Sequence, residues 1–144
     1  MLFNSITYIL FLPILILAAC TKPVSREDIS HLEGIWEIEK VTLADGTDKD
    51  YKVSEIVDRF AMEELRGTRT KVRVSLDGNY QAASQPDSVT VSFDPEKNAI
   101  LRHKAQYIKW QEEIVELDSA TLVLRNQQGI EYRYKRHVPF TIKP

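Results

Sequence analysis

The sequence has little of what disulfides and common metal sites require. It contains one cysteine and three histidines among its 144 residues. A single cysteine excludes an internal disulfide and every zinc site built from several cysteines. The histidines, His31, His103 and His137, are too scattered in sequence to form a metal-binding motif. We therefore expect no metal and no cofactor.

An excess of charge of either sign is also missing. The 19 Lys and Arg residues and 21 Asp and Glu residues leave a net charge of -2. A nucleic-acid-binding domain needs a basic surface, so no nucleic-acid partner is expected. The sequence also lacks the G-x-S-x-G, P-loop, H-E-x-x-H and dinucleotide-binding motifs. We expect a protein without enzymatic activity, and a hydrolase is the least favoured alternative.

The first twenty residues contain no charged side chain. From Tyr8 to Ala19 the sequence is almost purely apolar, interrupted only by Pro13. A helix over this run would be about 18 Å long, whereas the hydrocarbon core of a bilayer is about 30 Å thick. The run therefore favours a secretory signal over a transmembrane helix.

The apolar run ends in Leu17-Ala18-Ala19-Cys20, which resembles the lipobox of bacterial lipoproteins. The resemblance implies that residues 1–19 are a signal peptide and that Cys20 is acylated, for instance with palmitate, and becomes the mature N-terminus. Two or three acyl chains would anchor the protein stably to a membrane of the bacterial cell envelope, with the membrane and leaflet left open. The alternative is a buried cysteine on an N-terminal helix. Residues 20–30, which are polar after the cysteine, are predicted to be a flexible tether.

Residues 31–144 are typical of one antiparallel β domain. Apolar and polar residues alternate with a period of two in segments separated by turn-forming residues. In the first segment Trp36 and Ile38 share one face while Val41 and Leu43 share the other, which predicts a β-bulge. Successive hairpins favour an up-and-down meander of about eight strands that closes into a barrel. The predicted strands are 36–43, 72–76, 80–82, 89–93, 100–103, 105–110, 114–117, 122–125 and 131–138.

Residues 53–66 show a different pattern. Apolar side chains recur at helical spacing and charged ones cover the other side, which predicts an amphipathic helix ending before Gly67. The helix is expected to plug or flank the sheet, and the alternative is a helix that gates a ligand cavity. The apolar positions are Val53, Ile56, Val57, Phe60, Met62 and Leu65.

The segment Leu32-Glu33-Gly34-Ile35-Trp36 resembles the L-x-G-x-W opening of lipocalin-like domains. Looser matches are Asp77-Gly78-Asn79-Tyr80, Leu122-x-Leu124 and the run from Tyr132 to Arg136. The resemblance implies a lipocalin-like barrel in which Trp36 packs at the closed end, Gly34 permits a tight turn and a basic residue of the last strand crosses the indole. We expect Arg136 in this structural role, with Arg125 or Arg133 as alternatives. A cation–π pair of this kind contributes about 0.5–2 kcal/mol.

Two acidic segments resemble sites. Asp45 to Asp50 superficially resembles a calcium loop, but the position of Gly46 and the presence of Lys49 favour a solvated turn. Glu112, Glu113 and Glu116 could supply a carboxylate pair, although a polar outer face or a turn is favoured. Alternation predicts that Glu112 and Glu116 share one strand face. His103 and His137 are expected to be surface residues.

One group of aromatic residues could line a ligand, namely Tyr107, Trp110, Tyr132 and Tyr134. Aromatic walls with few polar groups suit an apolar or amphipathic ligand. For Trp110, core packing or a surface position is the alternative. The sequence therefore favours a membrane-anchored binding protein for a small lipophilic or amphipathic molecule. The alternative is a protein-interaction module of the cell envelope with a filled barrel, such as an assembly factor, an inhibitor or an immunity protein.

Overall fold

The computed structural model describes residues 22–139. These residues form one short 3-10 helix followed by ten strands, so the predicted mainly β fold is confirmed. The helix is η1 (Glu27–Leu32). The strands are β1 (Gly34–Thr42), β2 (Asp48–Asp50), β3 (Ile56–Glu63), β4 (Arg66–Val74), β5 (Tyr80–Ala82), β6 (Asp87–Phe93), β7 (Ala99–Lys104), β8 (Lys109–Leu117), β9 (Thr121–Asn126) and β10 (Glu131–Arg136).

Eight of the strands close into an antiparallel barrel. Their order is β1-β3-β4-β6-β7-β8-β9-β10, and β10 returns to pair with β1. The predicted up-and-down barrel is therefore confirmed. The hairpin β3–β4 joins its neighbours only through short ladders. Gly34–Trp36 of β1 pairs with β3, and Arg66–Arg69 of β4 pairs with β6. Beyond these ladders, β2 pairs with β1 and β5 pairs with β4, so the two extra strands use edges that the barrel leaves unpaired.

The barrel has two distinct ends. We call the end where η1 packs the closed end; the turns β3–β4, β6–β7 and β8–β9 also lie there because every strand entering them runs in that direction. The opposite end, with the turns β1–β2, β7–β8 and β9–β10, is the open end. The apolar core fills the closed half. Its largest fully buried side chains include Trp36, Phe60, Leu101, Leu122 and Leu124.

A β-bulge interrupts the pairing of β1 with β10 between Ile38 and Lys40. After the bulge Val41 pairs with Tyr132, whereas Ile38 pairs with Tyr134 before it. Directly paired residues project to the same face of a sheet, so the bulge returns Val41 to the interior face used by Ile38. The bulge predicted from the phase slip is confirmed.

The predicted helix over residues 53–66 is wrong. The segment contains β3 and a tight turn at Glu64 and Leu65, and the chain returns as β4, with Glu63 paired to Arg66. Phe60 faces the interior, while Val57 pairs with Val72 and is buried on the opposite face. Apolar residues on both faces of one strand produced the spacing that resembled a helical stripe.

The predicted tether to residue 30 is wrong from Val24 onward. Val24, Ile29 and Leu32 are buried in the core, and η1 packs against β3 and β8. Before η1 begins, the Ser25 backbone and hydroxyl both donate to the Asp28 carboxylate at 2.8 Å. The folded domain therefore starts before residue 31. The predicted signal peptide and the lipidation site Cys20 lie outside the described residues.

Between residues 22 and 139 there is no helix with the length and hydrophobicity needed to span a bilayer.

Candidate functional site

Trp36 forms the floor of the barrel at the closed end. Its ring is fully buried, and its Nε1 donates a hydrogen bond to the Leu32 carbonyl at 3.0 Å. The Arg136 guanidinium lies 3.9 Å from the centroid of the ring. Arg136 also donates to the backbone carbonyls of His31 and Glu33. The arginine thus joins the last strand to η1 and the start of β1.

Gly34 makes this close approach of Arg136 sterically permissible. Its φ angle is +122°, a conformation that other residues rarely adopt. A Cβ atom at this position would also lie 2.5 Å from Nη1 of Arg136. Gly34, Trp36 and Arg136 therefore form one structural unit, and Arg125 instead lies beside Glu113 and Glu131 on the outer face.

Above the apolar core, the open half of the barrel contains a buried cluster of charged side chains. Arg69 on β4 is its centre and uses each of its three nitrogens. Nε donates to Asp58 at 2.9 Å, Nη1 to Glu112 at 3.3 Å, and Nη2 to the Tyr134 hydroxyl at 3.0 Å. Burying a guanidinium is costly unless its donors are paired, and here all three directions are satisfied.

The two carboxylates of the cluster have further partners. Lys71, half exposed, places its Nζ 2.8 Å from Oδ1 and 2.9 Å from Oδ2 of Asp58. Glu112 Oε2 lies 2.7 Å from His103 Nε2. The strand register explains both contacts. Asp58 and Lys71 are directly paired across β3–β4. Glu112 is paired with Leu101, which is the interior residue before His103 on β7.

These contacts keep both carboxylates ionised. Burial raises the pKa of Asp58, but the Arg69 guanidinium and the Lys71 ammonium outweigh it, so the pKa lies below its ordinary value. Burial likewise raises the pKa of Glu112, and the hydrogen bond with His103 and the charge of Arg69 bring it below its ordinary value. Burial raises the pKa of Tyr134, which therefore stays a neutral phenol.

A cavity of about 290 Å³ lies against this cluster. Three of the four aromatic residues selected from the sequence, Trp110, Tyr132 and Tyr134, line it, and Tyr107 does not. Tyr107 is 91% exposed in the β7–β8 turn at the open end. The cavity is lined by Asp58, Arg69, Lys71, Asp87, Trp110, Glu112, Tyr132 and Tyr134.

His103 is a buried residue, so the expected surface position is wrong. Its ring is stacked on Trp110, with the centroids 4.6 Å apart and the planes 2° from parallel. Its side chain is fully buried, and the half-buried Trp110 lies over it. The His137 side chain is only 9% exposed and lies 3.2 Å from Glu37 on the outside of β1.

The predicted shared face of Glu112 and Glu116 is also wrong. A second bulge lies between Ile114 and Glu116 and shifts the alternation of β8 by one residue. Glu112 therefore points inward to Arg69, whereas Glu116 pairs with Arg133 on the outer surface at 2.9 Å. Glu113 contacts Arg125 on the same outer surface.

The segment Asp45–Asp50 forms the turn after β1 and the short strand β2. The Asp45 carboxylate accepts a hydrogen bond from the Thr47 backbone amide, and the Asp48 carboxylate accepts one from the Thr42 hydroxyl. No cluster of His, Cys, Asp or Glu suited to a metal ion occurs in the part of the chain that the structure describes.

Sequence reasoning missed the central residues of the cluster, Asp58 and Arg69. Asp58 lies within the predicted helix, and Arg69 precedes the strand that the sequence predicts from Val72 onward. In the structure Arg69 and Lys71 face the interior and Val72 faces outward. One signal of a polar interior was present in the sequence. Glu112 is an acidic residue within a strand, and His103 lies on the strand before it.

Comparison with known proteins gives similarity at the level of solved structures. No protein-family model matches the chain, and no curated protein matches it significantly. A lipocalin-like protein from Bacteroides uniformis is 14% identical with a TM-score of 0.47, and the match covers 74% of this chain and 99% of that one. An uncharacterized protein from Bacteroides eggerthii is 12% identical over the same shares, with a TM-score of 0.46. Lobster apocrustacyanin A1 is 12% identical with a TM-score of 0.43, covering 84% of this chain and 74% of that one.

Proposed function

We propose that this protein is a non-enzymatic binding protein for a small amphipathic molecule held in the open half of the barrel. The observation that carries the proposal is that aromatic side chains and ion-paired side chains line one cavity inside the barrel. The ligand's polar group would lie against the charged cluster, and its apolar part would lie against Trp110 and Tyr132.

The distribution of polarity inside the barrel narrows the class of ligand. The closed half is filled by apolar side chains around Trp36 and Leu101, so a ligand can occupy only the open half. The cavity volume of about 290 Å³ is near the lower limit for small-molecule pockets and suits a small ligand. A purely apolar ligand would remove water from charged groups without replacing its hydrogen bonds, which is unfavourable. An amphipathic ligand avoids that cost.

Native mass spectrometry of the full chain, purified from cell envelopes, tests the binding. We expect an adduct of a few hundred daltons that is lost when Trp110 is replaced by leucine. Tyr107→Leu is the matched control, because Tyr107 is aromatic but lies outside the cavity, and it should retain the adduct. A wild-type protein without an adduct, or a Trp110→Leu protein that keeps it, would contradict the proposal.

We also propose that acyl chains on Cys20 anchor the protein to a membrane of the bacterial cell envelope. The lipobox-like sequence before Cys20 supports this proposal. Metabolic labelling with palmitate should label the wild-type chain and a Thr21→Ala control, and Cys20→Ala should abolish both the label and recovery in the membrane fraction. Label that survives in Cys20→Ala would overturn the anchor.

Exposed apolar side chains favour protein interaction as a second candidate function. Leu43, Val53, Leu76, Tyr107 and Ile108 are all exposed, and all lie in turns or loops between strands toward the open end. If these side chains contact a partner, a photo-crosslinker placed in the β7–β8 turn should link the protein to that partner. Replacing Tyr107 and Ile108 by serine should abolish this crosslinking and leave the small-molecule adduct intact. Crosslinking that persists in this double variant would exclude that turn as the contact.

A further inference from the structure

We infer that the cavity selects an organic cation, such as an amphipathic amine or a quaternary ammonium compound. This inference rests on the proposed binding function and names the ligand class of the same site. It follows from the charges that line the cavity, from the partners they already have, and from the aromatic surface beside them.

The lining of the cavity carries one more carboxylate than it has permanent cations. The carboxylates belong to Asp58, Asp87 and Glu112, and the cations to Arg69 and Lys71. Both cations are engaged. Arg69 donates hydrogen bonds to Asp58, Glu112 and the Tyr134 hydroxyl. Lys71 contacts both carboxylate oxygens of Asp58. An anionic ligand would therefore have to displace an existing ion pair.

Asp87 is the carboxylate that the cluster does not neutralise. It is paired in register with Arg69 across β4–β6, so it projects to the same interior face. Among residues 22–139, no ion pair within 4 Å and no side-chain hydrogen bond involves its carboxylate, whereas Asp58 and Glu112 each have two partners. Its position at the start of β6 places it in the open half of the barrel, where a ligand enters.

Aromatic rings next to Asp87 strengthen the preference for a cation. One face of Trp110 is covered by the stacked ring of His103, which leaves the opposite face for a ligand. Tyr132 lines the same cavity. The face of an aromatic ring carries negative electrostatic potential and attracts an ammonium group, including one without hydrogen-bond donors. A carboxylate and aromatic faces together complement an ammonium group with an attached apolar chain.

Three probes that share a six-carbon chain separate the charge preference from binding itself. Hexyltrimethylammonium, hexanoate and hexanol are titrated separately into the full-length protein, and the change in tryptophan fluorescence is recorded. We expect the cation to bind about tenfold or more tightly than hexanoate and hexanol. Added salt should weaken binding of the cation and leave hexanol unaffected.

Asp87→Asn should bring the affinity for hexyltrimethylammonium most of the way down to that for hexanol, because only the preference from the aromatic rings remains. Asp77→Asn, in the exposed β4–β5 turn, is the matched control and should bind like the wild type. Hexanoate binding as tightly as the cation, or a cation affinity that does not depend on salt, would overturn the inference and leave the proposed function standing. Failure of all three probes to bind would contradict both.

Discussion

Arg69 determines whether the polar interior of this barrel is stable. It is nearly fully buried and joins residues of three other strands, Asp58 on β3, Glu112 on β8 and Tyr134 on β10. Removing one partner of a buried ion pair typically costs about 3–5 kcal/mol, because the remaining charge is left uncompensated. The cluster therefore acts as one unit, and its members cannot be replaced singly without penalty.

The same cluster makes stability depend on pH. The pKa values of Asp58 and Glu112 are lower in the folded protein than their ordinary values near 4 in an unfolded chain. The two ionised carboxylates therefore stabilise the folded state above about pH 4. This stabilisation is lost as the pH falls through their pKa values in the folded protein. Urea unfolding at pH 7, 5 and 3 should show a free energy of unfolding that decreases most between pH 5 and 3.

A surface glutamate provides the control for this pH dependence. Glu112→Gln should reduce the decrease between pH 5 and 3, whereas Glu113→Gln, on the outer face of the same strand, should retain it. Equal pH dependence in the two variants would show that the buried cluster is not its source.

Trp36 should be the most costly side chain to truncate at the closed end. Trp36→Ala removes a fully buried ring, its hydrogen bond to Leu32 and its contact with Arg136. We expect a loss of about 3–5 kcal/mol in the free energy of unfolding, measured by urea denaturation with circular dichroism. Trp110→Ala, which truncates a half-buried tryptophan, should cost clearly less. Equal costs for the two variants would contradict the floor role of Trp36.

The β3–β4 hairpin shows why element prediction failed at one place and succeeded elsewhere. Its turn, Glu64-Leu65, contains none of the usual turn residues, although Glu64 adopts a positive φ of 55°. The interior face of β3 also carries Asp58, so apolar alternation is broken where the charged cluster begins. By contrast, the β4–β5 and β6–β7 turns contain Asp77-Gly78 and Asp94-Pro95. The strands beside these turns were predicted, although β4 begins at Arg66, six residues before the predicted start.

Gly67 is required by the close pairing inside this hairpin. A Cβ atom at Gly67 would lie 2.0 Å from the carbonyl oxygen of Ala61, a backbone atom that can move only with the strand. Gly67→Ala should therefore cost about 3 kcal/mol in thermal or urea unfolding. Gly46→Ala has open space around it and should cost about 1 kcal/mol, from its positive φ alone. A Gly67→Ala cost no larger than that of Gly46→Ala would show that the hairpin accommodates the methyl group.

At the scale of the molecule, the meander was predictable because consecutive strands pair with each other and leave local signals. The polar interior was not predictable, because a strand pattern does not say which of its two faces points inward. A shift by one residue exchanges the two faces, as the bulge in β8 does for Glu112 and Glu116. Closure was expected from the meander itself, and the L-x-G-x-W resemblance added the contact between Trp36 and Arg136.

Closure of the barrel should be a late event in folding. The seam joins β1 to β10, and the hydrogen bond from Arg136 to Glu33 spans 103 positions in sequence. Contacts this distant in sequence make folding slow, in the range of milliseconds to seconds. In stopped-flow experiments Ile38→Val, at the seam, should mainly accelerate unfolding, whereas Ile114→Val, inside the β7–β9 meander, should slow folding. Equal slowing of folding by both variants would place the seam in the transition state.

The seam also has a consequence for the biosynthesis of the chain. Because β10 is the last strand of the barrel to be made, β1 and β9 each lack a neighbour until residues 131–136 have emerged from the ribosome. An unpaired strand edge can pair with another chain and start aggregation. Every incomplete chain therefore presents two such edges. In the finished barrel β10 pairs with both of them. The risk of aggregation is greatest during synthesis, and the final six-residue strand removes it.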